Sequence, residues 1–252
     1  MKFNKLFLAT TILATSSIAS ADVIGVYAGA QKWNYDIDGY VRTGSENIDF
    51  NDDLGYDDSD DNSYFVALEH PIPVLPNIKI QQNNLEGQGR GTASQNYTFG
   101  SVPFLAGTPT VSNYDFSNTD YTLYYEILDN WVNLDLGITG KQFDGFVDVG
   151  VEVTTGGPIV SRVDFKGTVP MLYGKAQFDL PLTGFNVGST MNIGQTTDDK
   201  INDYTLYFGY EGETGFGFEV GYRNFTVEFD NFDDLSTDFT FDGYYASLNF
   251  HF

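Results

Sequence analysis

The 252-residue sequence predicts an all-β fold, a transmembrane antiparallel up-and-down β-barrel of ten strands, with eight as the alternative count. Three observations predict it. A short apolar leader is followed by no further apolar run of helical length, the apolar residues recur with a period of two, and the connections between alternating segments are by turns short and long.

The leader comes first. Lys2 and Lys5 precede an apolar stretch over 6–14, and Ala19-Ser20-Ala21 has the form of a cleavage site, so residues 1–21 read as a secretory signal peptide and 22–252 as one barrel domain. The apolar stretch is about half of the ~20 residues that a spanning helix needs. A chain without such a helix crosses a membrane only as a closed barrel.

The strands follow in order at 23–33, 63–69, 78–86, 115–126, 131–142, 168–180, 185–195, 201–211, 216–225 and 243–252. The clearest is the fifth, where Val132, Leu134, Leu136 and Ile138 alternate with Asn133, Asp135, Gly137 and Thr139. Tyr204, Leu206, Phe208 and Tyr210 share one face, as do Phe216, Phe218, Val220 and Tyr222 after the turn at 213–215, which makes a hairpin. The last strand puts Ala246, Leu248, Phe250 and Phe252 together. The weakest two, 63–69 and 78–86, are those that an eight-stranded barrel would drop. Short turns at 71–77, 128–130, 181–184 and 211–215 oppose long polar stretches at 34–62, 87–114, 143–167 and 226–242, with 196–200 the short exception. Outer-membrane barrels show this asymmetry, short turns lying on the periplasmic side. A secreted β-sandwich also alternates, but aromatic residues at segment ends, among them Tyr121, Tyr125, Trp131, Phe178 and Phe185, suit interfacial girdles better than a packed double sheet.

Composition narrows the function. Twelve basic residues against 35 acidic ones give a formal charge of -23, which excludes a nucleic-acid partner for want of a basic footprint. The absence of Cys excludes disulfides and thiolate metal sites.

Three stretches carry a resemblance. Val66-Ala67-Leu68-Glu69-His70-Pro71-Ile72-Pro73-Val74-Leu75-Pro76-Asn77, the run from Leu123 to Gly137 (Leu-Tyr-Tyr-Glu-Ile-Leu-Asp-Asn-Trp-Val-Asn-Leu-Asp-Leu-Gly) and Val169-Pro170-Met171-Leu172-Tyr173-Gly174-Lys175 resemble a family of small outer-membrane β-barrels of Gram-negative bacteria. That family has no established activity to carry over. The resemblance implies an outer-membrane location, and the terminal Phe252 with Phe250 resembles the strand signature read by the barrel assembly machinery.

No enzyme is expected. Rim hydrolases of this architecture pair a His with Asp or Ser, whereas His70 and His251 both fall at the short-turn end, and no Gly-x-Ser-x-Gly elbow is present. With apolar faces turned to lipid, Asp120, Glu126, Asp135, Asp179, Asp203 and Glu219 point inward together with Lys79, Lys141, Lys175 and Arg223. Such charges either pair into a rigid plug or line a narrow cation-preferring path, and the plug is the preferred reading.

The stretches 34–62 and 226–242 are strongly acidic, and closure of the last strand on the first makes them neighbours on one rim. Asp57, Asp58, Asp60 and Asp61 are weak metal candidates for loosely bound Ca2+ or Mg2+. Asp49-x-Asn51-x-Asp53 places Gly55 one residue late for an EF-hand loop. The expectation is a monomeric scaffold or surface-interaction protein without cofactor, its partners being outer-membrane lipids, lipopolysaccharide and the assembly machinery. A narrow channel for small cations or polar solutes is the alternative.

Overall fold

The computed structural model describes residues 24–72, 74–151, 159–196 and 199–252; the leader expected over 1–21 lies outside them. The chain runs through β1 (Gly25–Arg42), β2 (Ile48–Asp49), β3 (Ser59–Glu69), β4 (Asn77–Asn83), β5 (Glu86–Thr92), β6 (Tyr97–Phe99), β7 (Val102–Phe104) and β8 (Pro109–Asp115). It continues through β9 (Asn118–Leu128), β10 (Val132–Val151), β11 (Ile159–Asp179), β12 (Phe185–Gln195), β13 (Lys200–Glu211), β14 (Phe216–Phe232) and β15 (Leu235–His251). Every pairing is antiparallel, and β1, β3, β4 and β9 to β15 form a closed ten-strand wall. Both weak candidates are therefore strands, β3 and β4, and the eight-strand alternative falls.

Closure joins β15 to β1, with Tyr27 opposite His251 and Ala30 opposite Leu248. At the seam Val26 N–H donates to the Phe252 carbonyl at 2.9 Å and Phe252 N–H to the Val26 carbonyl at 3.1 Å. Both described ends of the chain thus lie beside the short turns. One of these turns needs its glycine: Gly215 has φ 79°, and a Cβ there would come within 2.1 Å of the His251 carbonyl oxygen.

Much of what the sequence suggested as long polar loops is strand. β10 and β11 run on to Val151 and from Ile159, and β14 and β15 meet in a two-residue turn, Asp233-Asp234, with both φ angles positive at 49° and 68°. A two-residue hairpin turn of this hand follows the strand twist, and Asp tolerates the left-handed region. β5 and β8 extend β4 and β9 as an arm, tipped by the β6–β7 hairpin.

The reason is a reversal of phase. On β14, Phe216, Phe218, Val220 and Tyr222 face outward, but beyond Arg223 the apolar residues Phe225, Val227 and Phe229 face inward. On β15 the inward Phe239 and Phe241 give way past Gly243 to the outward Tyr244, Ala246, Leu248 and Phe250. On β1, Ala28 and Ala30 lie on the outer face, followed by the polar Lys32, Asn34 and Asp36, whose inward neighbours Trp33, Tyr35 and Ile37 are buried. An apolar outer face belongs to lipid and a polar outer face to water. The wall therefore has a lipid belt on its short-turn half, topped by Tyr64, Tyr121, Tyr204, Tyr222 and Tyr244, and a water-bathed extension above it. The extension holds a core of its own, in which Phe116 and Phe239 rings lie 4.4 Å apart, and Phe239 meets Phe241 edge-on at 4.9 Å.

Candidate functional site

Inside the wall three layers are stacked. The uppermost is the aromatic core, roofed by the loop after β1, from which Phe50, Leu54 and Tyr56 turn inward. The acidic spacing in that loop serves its backbone. Asp49 Oδ1 accepts from the N–H groups of Asn51 and Asp52 at 2.9 and 2.8 Å. Asp53 accepts from Asp49 N–H at 2.9 Å and, with its other oxygen, from Ser94 N–H of the arm at 2.7 Å. Asp53 is buried, and it ties the roof to the arm. The sequence shows Asp53 only as one position of an imperfect EF-hand spacing, because an Asp among many Asp residues carries no signal of such a tie.

The middle layer is a buried charge cluster. Asp120 lies directly opposite Lys141, whose Nζ contacts Asn118 Oδ1 and Asp120 Oδ2 at 3.0 Å each and Asp203 Oδ2 at 3.3 Å. Arg223 grips Asp203 with Nε to Oδ1 at 2.9 Å and Nη2 to Oδ2 at 2.7 Å, and reaches Asn83 Oδ1 with Nη1 at 3.1 Å. Asn83 in turn donates to Asn118 and Asp120 at 2.9 and 3.1 Å. The two cations balance the two carboxylates, and exposure is 0% for Lys141 and 2% for Arg223. Their upper sides meet rings, Arg223 at 4.7 Å from Trp33 and Lys141 at 4.9 Å from Phe225. A buried charge set of this kind is tolerable only when matched; Asp120 Oδ1 accepts no hydrogen bond but lies 3.0 Å from Lys141 Nζ.

The lowest layer is a water-accessible cup of about 710 Å³, open between the short turns and ceilinged by Asp120, Asp203 and Arg223. Glu69, Glu126, Asp135, Glu219, Lys79 and Lys175 stand on its walls, and Asp179 lies near its mouth. Of the charged residues expected in the lumen, Asp120, Glu126, Asp135, Asp179, Asp203, Glu219, Lys79, Lys175 and Arg223 line this cup or its ceiling, and Lys141 lies buried in the cluster above. They divide into the sealed cluster and the open cup. Inward tyrosines fill the wall where the facing residue is glycine: Tyr207 lies opposite Gly188 and Tyr245 opposite Gly221.

The four rim aspartates do not converge. Asp60 and Asp61 alternate across the strand, Asp60 turning outward to ion-pair with Lys32 and Asp61 inward to accept from Tyr35 Oη at 2.7 Å and Glu86 N–H at 3.0 Å. Asp57 accepts from Asp58 N–H at 3.0 Å, while the Asp58 side chain shares a hydrogen bond with Asp36. Among the described residues, no group of three or more His, Cys, Asp or Glu is placed to hold a metal. The two acidic stretches do meet as strand neighbours, with Asp36 opposite Asp242 and Tyr40 opposite Asp238. Asp36 is held above the usual carboxylate range by the hydrogen bond to Asp58, then by slight desolvation and by the negative charges of Asp58, Asp242 and Asp38. Burial also raises Asp61, against the pull of Tyr35 and Glu86.

Both histidines sit at the short-turn end. His70 Nδ1 accepts from Ile72 N–H at 3.3 Å, and His251 stacks on Tyr27 at 4.0 Å with Nδ1 3.5 Å from Glu211. Phe250 packs on Phe216 at 4.5 Å and lies 5.1 Å from Phe252, on the lipid side of the closing seam.

Neither a protein-family model nor a curated protein matches the chain. Among solved structures it is similar to the outer membrane protease OmpT from Escherichia coli, with a TM-score of 0.52 and 9% identity over 95% of this chain and 100% of that one. It is also similar to Ail, the attachment invasion locus protein of Yersinia pestis (TM-score 0.37, 8% identity, 89% and 99% covered), and to a FadL homologue of Pseudomonas aeruginosa (0.36, 9%, 91% and 90%). At such identity the likeness is one of fold.

Proposed function

We propose that this outer-membrane β-barrel is a non-catalytic, monomeric and non-conducting protein with a structural or surface-interaction role. The observation that carries the reading is the filling of the lumen: the Lys141–Arg223 cluster and the aromatic core lie one above the other across the barrel. An ion crossing this path would have to break matched buried charges and then enter a dry ring-lined layer, both costly. The short turns then face the periplasm. The acidic outer rim stands at the height of lipopolysaccharide, whose bridging divalent cations would offset its charge, and Phe250 and Phe252 form the signal for the assembly machinery. The test is conductance of the refolded barrel in a planar bilayer, with folding checked by heat-modifiable gel mobility. A silent bilayer is the expected result. Steady cation-selective steps would replace this reading by that of a narrow channel.

A further inference from the structure

The lower cup has a chemistry that closure of the barrel does not use. Asp120 and Asp203 in its ceiling are matched by Lys141 and Arg223, so the unbalanced charge belongs to the walls, where Glu69, Glu126, Asp135 and Glu219 outnumber Lys79 and Lys175. Lys79 is drawn over the Phe65 ring at 4.8 Å and Lys175 stands 4.0 Å from Asp135. At the mouth, Asp129, Glu211 and Glu213 add to the excess.

Hydrogen bonding is lopsided in the same sense. The Asn186 side chain lines the cup at 8% exposure, and its Oδ1, lying on the lumen side over Gly209, has no donor. Asn133 Oδ1, on the adjoining wall, also has none. Buried acceptors without donors are rare in folded proteins. The tyrosine hydroxyls do not serve them: Tyr124 donates to Glu69 at 2.7 Å and Tyr207 to Gln177 at 2.9 Å, which leaves the rings as wall surface.

We propose that this cup is a binding site for a small organic cation of the alkyl diamine or polyamine class, admitted from the short-turn side. The volume lies within the range of about 300–1,000 Å³ typical of ligand sites. An ammonium group supplies the missing positive charge and, once the Asn186 amide turns toward it, the missing donor, and its alkyl chain lies along tyrosine faces that also attract cations. A bare metal ion fits less well, because the carboxylates stand on β3, β9, β10 and β14 around the cup rather than converging.

The test is calorimetric titration of the refolded barrel with spermidine, with a monoamine and Mg2+ run at matched ionic strength. Saturable spermidine binding is expected, weakened by at least about tenfold in Glu219→Gln and in Glu69→Gln, reduced in Asn186→Leu and unchanged in Asp57→Asn at the far rim. No saturable heat, equal binding of Mg2+, or indifference to all three cup substitutions would overturn the proposal. Should one variant lose its heat-modifiable band, the other two and the Mg2+ comparison still decide.

Discussion

Arg223 and Asp203 meet through two parallel hydrogen bonds, 2.9 and 2.7 Å long, at the level where the wall passes from lipid to water. The pair is buried, so removing one partner strands a charge. Asp203→Asn is expected to cost roughly 3–5 kcal/mol, and the double change Arg223→Met with Asp203→Leu distinctly less, because matched apolar groups strand nothing. Urea unfolding in lipid vesicles, followed by the fluorescence of Trp33 at 4.7 Å from Arg223, measures both. Equal losses in the two variants would show that the pair is not the unit of stability.

Glycine spacing makes a second prediction. A Cβ on Gly188 would lie 2.4 Å from the Tyr207 ring, whereas one on Gly174 would meet nothing nearer than 3.5 Å. Gly188→Val is expected to destabilise by about 1–3 kcal/mol through overpacking. Gly174→Ala, on the lipid side, is expected to be close to neutral in the same urea series. The two would respond alike only if inward glycines served strand curvature rather than room for tyrosine.

The barrel and its strand number were legible because a strand facing lipid on one side and lumen on the other alternates plainly, as Leu134 to Ile138 do. The extension was not legible as strand, because a polarity count over 226–242 registers Glu228, Asp230, Asp238 and Asp242 and hides the period of two among Phe225, Val227 and Phe229. The informative signal was the change of phase, even-numbered apolar residues up to Tyr222 and odd-numbered ones from Phe225. Separation of the sealed cluster from the open cup was out of reach, since Asp120 and Asp135 look alike in sequence. Which of them meets Lys141 depends on register between strands.

The extension behaves as a water-soluble core set on a membrane barrel, and its aromatic residues are therefore worth what core residues are worth in water. Phe241, buried against Phe225, Phe239 and Tyr114, is expected to cost roughly 3–5 kcal/mol on change to Ala. Phe218→Ala, outward in the lipid belt, removes contact with acyl chains and is expected to cost less. Limited proteolysis distinguishes the two, because Phe241→Ala would open the paired β14 and β15 strands below their exposed Asp233-Asp234 tip to cleavage while leaving the belt protected. Cleavage within the belt instead would show that the extension and the belt unfold as one.

Mild acid is expected to strengthen the outer rim. Asp36 stands outside the lipid belt with its pKa raised, first by the hydrogen bond to Asp58 and then by slight desolvation and neighbouring carboxylates. A carboxyl whose folded pKa lies above its unfolded value favours the fold most when protonated, and that contribution is lost as pH rises through the folded pKa. Asp61, raised by burial, acts in the same direction. Melting of the extension, followed by Trp33 fluorescence, should thus occur at higher temperature near about pH 4.5 than near about pH 7.5. Asp36→Asn keeps a hydrogen-bonding group while removing the charge, and should raise the neutral-pH value toward the acidic one. A rim that melts earlier in acid would mean that carboxylates paired with cations, such as Asp60 with Lys32 and Glu228 with Lys200, outweigh the repelling set.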